Sequence, residues 1–254
     1  MTSSDLLSAN PEQILGAPII TITPPDADSE GAFSGTTAAD FIQVDPNIEP
    51  FNFNLSGLAG GDTLFGGAGD DSISGNENRD FINGLNGIDF LFGNSGADQI
   101  NGGAANDEAY GGQGNDTLFG DLGDDILSGD KGSDFLIGGP GNDRFIIGDQ
   151  GLLNAALIED FVPGADQILV TGVDSFAELD FLTVSGLSVQ NLFPTVTTFS
   201  VVGVVISVRS SGQVVGVLNN VSSEQISISD FSFLPPNPAT VDTSPDASGE
   251  MVMI

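Results

Sequence analysis

At 254 residues the chain is long enough for one or two domains, and its 36 Asp and Glu against 4 Lys and Arg give a formal charge of −32. That balance disfavours nucleic acid and anionic membrane surfaces as partners, because phosphate contacts need Lys and Arg, and it favours cations. With neither Cys nor His in the chain, disulfides, thiol chemistry and imidazole- or thiolate-based zinc and iron sites are excluded, which leaves only hard oxygen ligands.

Apolar residues still make up 39% of the sequence, too many for a disordered acidic tail. No apolar run reaches 18 residues, so no transmembrane segment is expected. Residues 1–56 read as a leader. Its first ten residues, Met1–Asn10, carry no Lys or Arg and no apolar stretch, so a cleavable secretory signal is not expected there. Pro18–Thr23 is a short β-prone run. Gly35–Gln43 (GTTAADFIQ) has Gly, Asp and Ile spaced as in the repeats that follow and reads as a degenerate first turn. Residues 44–56 break the phase.

From Gly57 to Ile146 a nine-residue period runs through ten repeats without a slip. Position 1 is always Gly. Position 6 is always Asp: Asp62, Asp71, Asp80, Asp89, Asp98, Asp107, Asp116, Asp125, Asp134 and Asp143. Position 4 is Gly except at Asn78 and Ala105. Position 8 is apolar throughout, and only Ala109 is small. Glycines at positions 1 and 4, with Gly, Asn or Asp at most second positions, permit a tight turn with φ > 0. Positions 7 to 9 then form a short strand with position 8 inward.

Two repeats make an 18-residue coil, and stacked coils predict an all-β parallel roll. Same-side turns place Asp62, Asp80, Asp98, Asp116 and Asp134 in one column and Asp71, Asp89, Asp107, Asp125 and Asp143 in the other. Carboxylates about 5 Å apart repel strongly unless cations lie between them. Ca²⁺ takes 6–8 oxygens, which two facing loops can supply, so four gaps per column allow up to eight ions. The block holds 14 Asp and 2 Glu against Arg79, Lys131 and Arg144, a net charge of −13. Its metal-free core is thin relative to chain entropy, so folding and calcium binding are expected to be one event.

Residues 147–234 are rich in Val, Ile, Leu, Phe, Ser and Thr and read as a β-rich C-terminal cap. It includes the β-prone run Thr198–Ser210 and turns at Ser211–Gly212 and Asn219–Asn220. Residues 235–254 read as a flexible tail.

GGAGDDSIS (66–74), GGQGNDTLF (111–119) and GGPGNDRFI (138–146) resemble the RTX, or haemolysin-type, calcium-binding repeat family, whose consensus is GGxGxDxUx with U a large apolar residue. The resemblance implies that the ten position-6 Asp residues ligate the ions. Loop residues such as Gly67, Gly69, Gly112, Gly114, Gly139 and Gly141 would add backbone carbonyls. GNENRD (75–80) and GGAAND (102–107) depart from the pattern. The resemblance also implies a secreted or cell-surface protein, exported by type I secretion. Glu250-Met251-Val252-Met253-Ile254 is similar to one form of the C-terminal signal for that route.

Beyond calcium, the sequence predicts a non-enzymatic matrix, surface-layer or adhesion component. Without His or Cys there is no Ser/His/Asp triad, no HExxH zinc site and no thiol nucleophile. The alternatives are an extracellular carboxylate-type glycoside-active enzyme or a polysaccharide-binding module. Phe65, Phe81, Phe90, Phe92, Phe119, Phe135, Ile126 and Ile137 fall at positions 7 and 9 and are expected to face outward. There they would be covered by the flanking segments or would contact another copy or a cell-surface partner.

Overall fold

The computed structural model describes residues 19–22, 31–44, 51–148, 155–188 and 200–234. The first ten residues and the tail from 235 to 254, with its Glu250–Ile254 motif, lie outside the described residues. Ahead of the repeats come β1 (Ile19–Ile22), β2 (Gly31–Ser34), β3 (Phe41–Val44) and β4 (Phe53–Ala59). The repeats give β5 (Thr63–Ala68), β6 (Ser72–Glu77), β7 (Phe81–Asn86), β8 (Phe90–Ser95) and β9 (Gln99–Ala104). They continue as β10 (Glu108–Gln113), β11 (Thr117–Leu122), β12 (Ile126–Lys131), β13 (Ser133–Ile137) and β14 (Arg144–Gly148). Then follow β15 (Ala155–Ile158), β16 (Gln167–Thr171), β17 (Leu179–Ser188), β18 (Ser200–Val208), β19 (Val214–Asn219) and β20 (Phe231–Leu234).

Up to β16, odd and even strands separate into two sheets, and β18 then joins the odd one. One runs β1-β3-β5-β7-β9-β11-β13-β15-β19-β18-β17, the other β2-β4-β6-β8-β10-β12-β14-β16-β20. Pairing is parallel throughout the roll, with Thr63 opposite Phe81 and Phe81 opposite Gln99, one 18-residue coil apart. This is the expected parallel β-roll. Among the described residues only β17–β18 and β18–β19 pair antiparallel, and the turn between β18 and β19 holds Gly212 at φ 69°.

The core is a ladder of position-8 side chains. Leu64, Ile73, Ile82, Leu91, Ile100, Ala109, Leu118, Leu127, Leu136 and Phe145 are all fully buried and belong to one cluster. Each coil contributes two of them, one from each sheet, so every coil depends on its neighbours for a core. Parallel pairing continues beyond the block at both ends: β3 pairs with β5, and β15 and β16 pair with β13 and β14. Ile42, Val44, Ile158, Ile168 and Val170 extend the same cluster. At the C-terminal end Phe176, Phe181 and Phe231 pack with centroids 4.9 to 5.5 Å apart.

The outward positions are apolar over long stretches, as expected, but most of their apolar side chains are half-buried and only Phe90 among them is exposed. Rings in neighbouring coils cover one another. Phe65 lies 5.6 Å from Phe41 and 5.8 Å from Phe81, and Phe92 stacks on Tyr110 at 5.5 Å. Phe135 packs on a small second core of Ala155, Leu157 and Val217.

Candidate metal centre

Each repeat turns through a backbone shape that its residues set. Position 2 is left-handed in all ten repeats, including Leu58 (φ 77°) and Leu85 (φ 81°), where no glycine eases it. Position 1 needs glycine for a different reason. A Cβ on Gly93 would lie 2.5 Å from both Asp98 Oδ2 and the Gly111 carbonyl oxygen. Position 1 is therefore a space requirement, and the φ > 0 expected there is carried by position 2. Position 4 is also crowded: a Cβ on Gly69 or Gly141 would overlap the carbonyl oxygen of Phe51 or Gly123 in the preceding coil.

All ten position-6 Asp residues are buried, at 0 to 2% exposure. Each accepts at Oδ1 from a backbone N–H of the preceding coil. In the first column Asp62, Asp80 and Asp98 donate to Asp80, Asp98 and Asp116 at 2.7 to 2.8 Å, and Asp116 donates to Asp134 at 2.9 Å. In the second column Phe53, Asp71, Asp89, Asp107 and Asp125 donate to Asp71, Asp89, Asp107, Asp125 and Asp143. The two columns expected from the 18-residue coil are therefore present.

The second oxygen is the anomaly. Oδ2 of Asp62, Asp71, Asp80, Asp89, Asp98, Asp107, Asp116, Asp125 and Asp143 is buried with no hydrogen-bond partner. Burial raises these carboxyls, and that of Asp134, above 3.8. Asp98 and Asp125 reach about 6, Asp71, Asp80, Asp89, Asp107, Asp116 and Asp143 about 7, and Asp134 about 8. Neighbouring ladder carboxylates add to the rise at several, as Asp98 does for Asp116. The N–H bonds to Oδ1 work against it.

An array of buried anionic oxygens that meet carbonyl oxygens and no donor fits a hard cation. Among the described residues no group of three or more acidic side chains gathers to hold an ion, so ligation would draw on loop carbonyls beside the Asp column. Gly67, Gly112, Gly114 and Gly139 lie in these loops with φ between 97° and 148°. The divergent loops keep the turn: Asn78 and Ala105 take φ 76° and 90° at position 4. Arg79, in one of them, pulls the Asp98 carboxyl partly back down.

Sequence reasoning missed a second ladder, at position 5. Asn52 and Asp70 accept from the N–H of Asp70 and Ile88, and Asn106 and Asp124 from that of Asp124 and Asn142, at 2.8 to 3.0 Å. Ile88 cannot accept and interrupts it. The recurrence of Asn or Asp at residues 52, 70, 106, 124 and 142, in steps of 18 broken only at Ile88, is the signal that could have found it.

The family model for the RTX calcium-binding nonapeptide repeat matches in four copies, over residues 56–91, 83–118, 92–127 and 119–150. No curated protein matches the chain. Among solved structures the chain is similar to the AlgE6R3 subunit from the Azotobacter vinelandii mannuronan C5-epimerase, at 18% identity and a TM-score of 0.22, covering 83% of this chain and 93% of that one. Residues 56–150 are thus RTX calcium-binding nonapeptide repeats, and the chain winds them into a parallel β-roll.

Proposed function

We propose that this protein is exported, folds on binding Ca²⁺ outside the cell, and serves without catalysis as a matrix, surface-layer or adhesion component. The observation that carries this reading is the row of nine buried carboxylate oxygens without donors. Holding a carboxyl at about 7 instead of 3.8 corresponds to about 4 kcal/mol at neutral pH. A few such groups exceed the roughly 5–15 kcal/mol by which domains are stable. Neutralisation by Ca²⁺ removes that cost, so the chain stays unfolded where calcium is scarce. Extracellular modules bind calcium at about 10⁻⁴–10⁻³ M, which favours folding after export. Up to eight ions fill the gaps between the Asp residues of the ten repeats.

The outward aromatic rows, with Phe90 43% exposed, support self-association or a cell-surface partner. The absence of His and Cys supports a role without catalysis. Calcium titration followed by circular dichroism and light scattering tests the reading. Structure should appear only as calcium is added, with assembly following it. A chain fully folded in chelator would refute the coupling of folding to calcium, and a strict monomer at saturation would refute self-association.

A further inference from the structure

Turns in this roll occur in two states. In the ten repeats position 2 is left-handed, and Oδ2 of the Asp four residues later is buried and unpartnered at nine of them. The turns flanking the block differ. In Gly35–Asp40 the Thr36 N–H donates to Asp40 Oδ2 at 2.5 Å and the Thr36 hydroxyl does so at 3.0 Å. In Phe161–Asp166 the Val162 N–H donates to Asp166 Oδ2 at 2.7 Å. Both turns belong to the ladder. Asp40 N–H donates to Asp62 Oδ1 at 2.7 Å, and Asp143 N–H donates to Asp166 Oδ1 at 3.0 Å.

The first turn otherwise matches the repeats. A Cβ on Gly35 would lie 2.5 Å from Asp40 Oδ2 and 2.8 Å from the Gly57 carbonyl oxygen, the same convergence seen at Gly93. What differs is position 2. Thr36 and Val162 occupy it, and neither has a positive φ. Both are β-branched, and for such residues the left-handed region is a genuine outlier.

We propose that the residue at position 2 decides whether a turn takes an ion. A left-handed residue there keeps its N–H off the Asp and leaves Oδ2 to a cation. Thr36 and Val162 close their turns with their own N–H and make them ion-free ends of the array. This rests on the repeats binding calcium.

Thr36→Gly and Val162→Gly test it, since both side chains are exposed and little packing is lost. Calcium stoichiometry of the full chain is read by equilibrium dialysis, with circular dichroism to check that each variant reaches the wild-type spectrum at saturation. Each variant should bind one more ion than wild type, and the double variant two more. Thr36→Val, which drops the hydroxyl but keeps the β-branch, should gain none, and Gly112→Val should lose at least one. Unchanged stoichiometry in both glycine variants, or a gain in Thr36→Val, overturns the proposal. A wild-type chain that binds no calcium overturns the reading beneath it instead.

Discussion

The backbone N–H of Asp98 donates to Oδ1 of Asp116, 2.8 Å away and 18 residues later. That bond spends one carboxylate oxygen on holding two coils together and leaves the other for an ion. The two roles separate by substitution. Asp116→Asn keeps an acceptor for Asp98 but removes the charge, whereas Asp116→Ala removes both. Calcium stoichiometry should fall in each. Thermal unfolding at saturating calcium should show Asp116→Ala less stable than Asp116→Asn by about 1–3 kcal/mol, the usual cost of leaving a buried donor, here the Asp98 N–H, without its acceptor. Equal stability of the two would show that the N–H bond contributes nothing.

Glycine at position 1 is fixed by space. Gly111→Ala would place a methyl group 2.5 Å from Asp116 Oδ2. It should cost about 1–3 kcal/mol, as overpacking does, and lower calcium affinity. Gly212 meets no atom within 4 Å but has φ 69°, so Gly212→Ala should cost about 1–2 kcal/mol from backbone strain alone and leave calcium affinity unchanged. A calorimetric titration of both variants makes the comparison.

Leu58 holds φ 77° while 41% exposed. Leu58→Gly should stabilise the calcium-loaded roll by up to about 1 kcal/mol, the left-handed strain less the greater chain entropy of glycine. A lower melting temperature for the variant would mean that the Leu58 side chain contributes packing worth more than that strain.

The calcium-free chain should respond to pH in the direction opposite to acid denaturation. Its ladder carboxyls rise from 3.8 to between about 6 and about 8 on folding, chiefly through burial. A carboxyl raised in the folded state stabilises that state fully below about 3.8, and the contribution is lost as pH rises through about 6 to 8. In chelator, β structure measured by circular dichroism should therefore increase as pH falls from 8 towards 5. Apparent calcium affinity should weaken over the same interval, because the ion must displace protons. Calcium-free β structure that grows towards pH 8 would contradict both statements.

The period-nine pattern made the roll, its two Asp columns and its inward position-8 row legible before any coordinates, because each is a strict consequence of repeat length. The flanking turns were harder to read. Asp40 and Asp62 are 22 residues apart, and Asp143 and Asp166 are 23 apart, so extra residues in the connections hide the phase. The Gly35–Asp40 turn kept its end glycine and aspartate and could be suspected, whereas Phe161–Asp166 replaced the glycine with Phe161. Cover of the outward Phe side chains by the flanking segments was expected, but the part supplied by the repeats themselves was not legible. It depends on ring contacts between coils, such as Phe92 on Tyr110, that no single repeat contains.

Every bond in the Asp ladder runs the same way, from an N–H in an earlier coil to a carboxylate in a later one. The roll therefore has a polarity that its near-identical repeats conceal. Deleting coils from the front uncovers a carboxylate oxygen, to which water readily donates. Deleting them from the back strips a buried amide of its acceptor in each column, the costlier loss. Shortened by equal amounts, the roll should tolerate trimming at its head better than at its foot, as a zipper closed from one end opens only from the other.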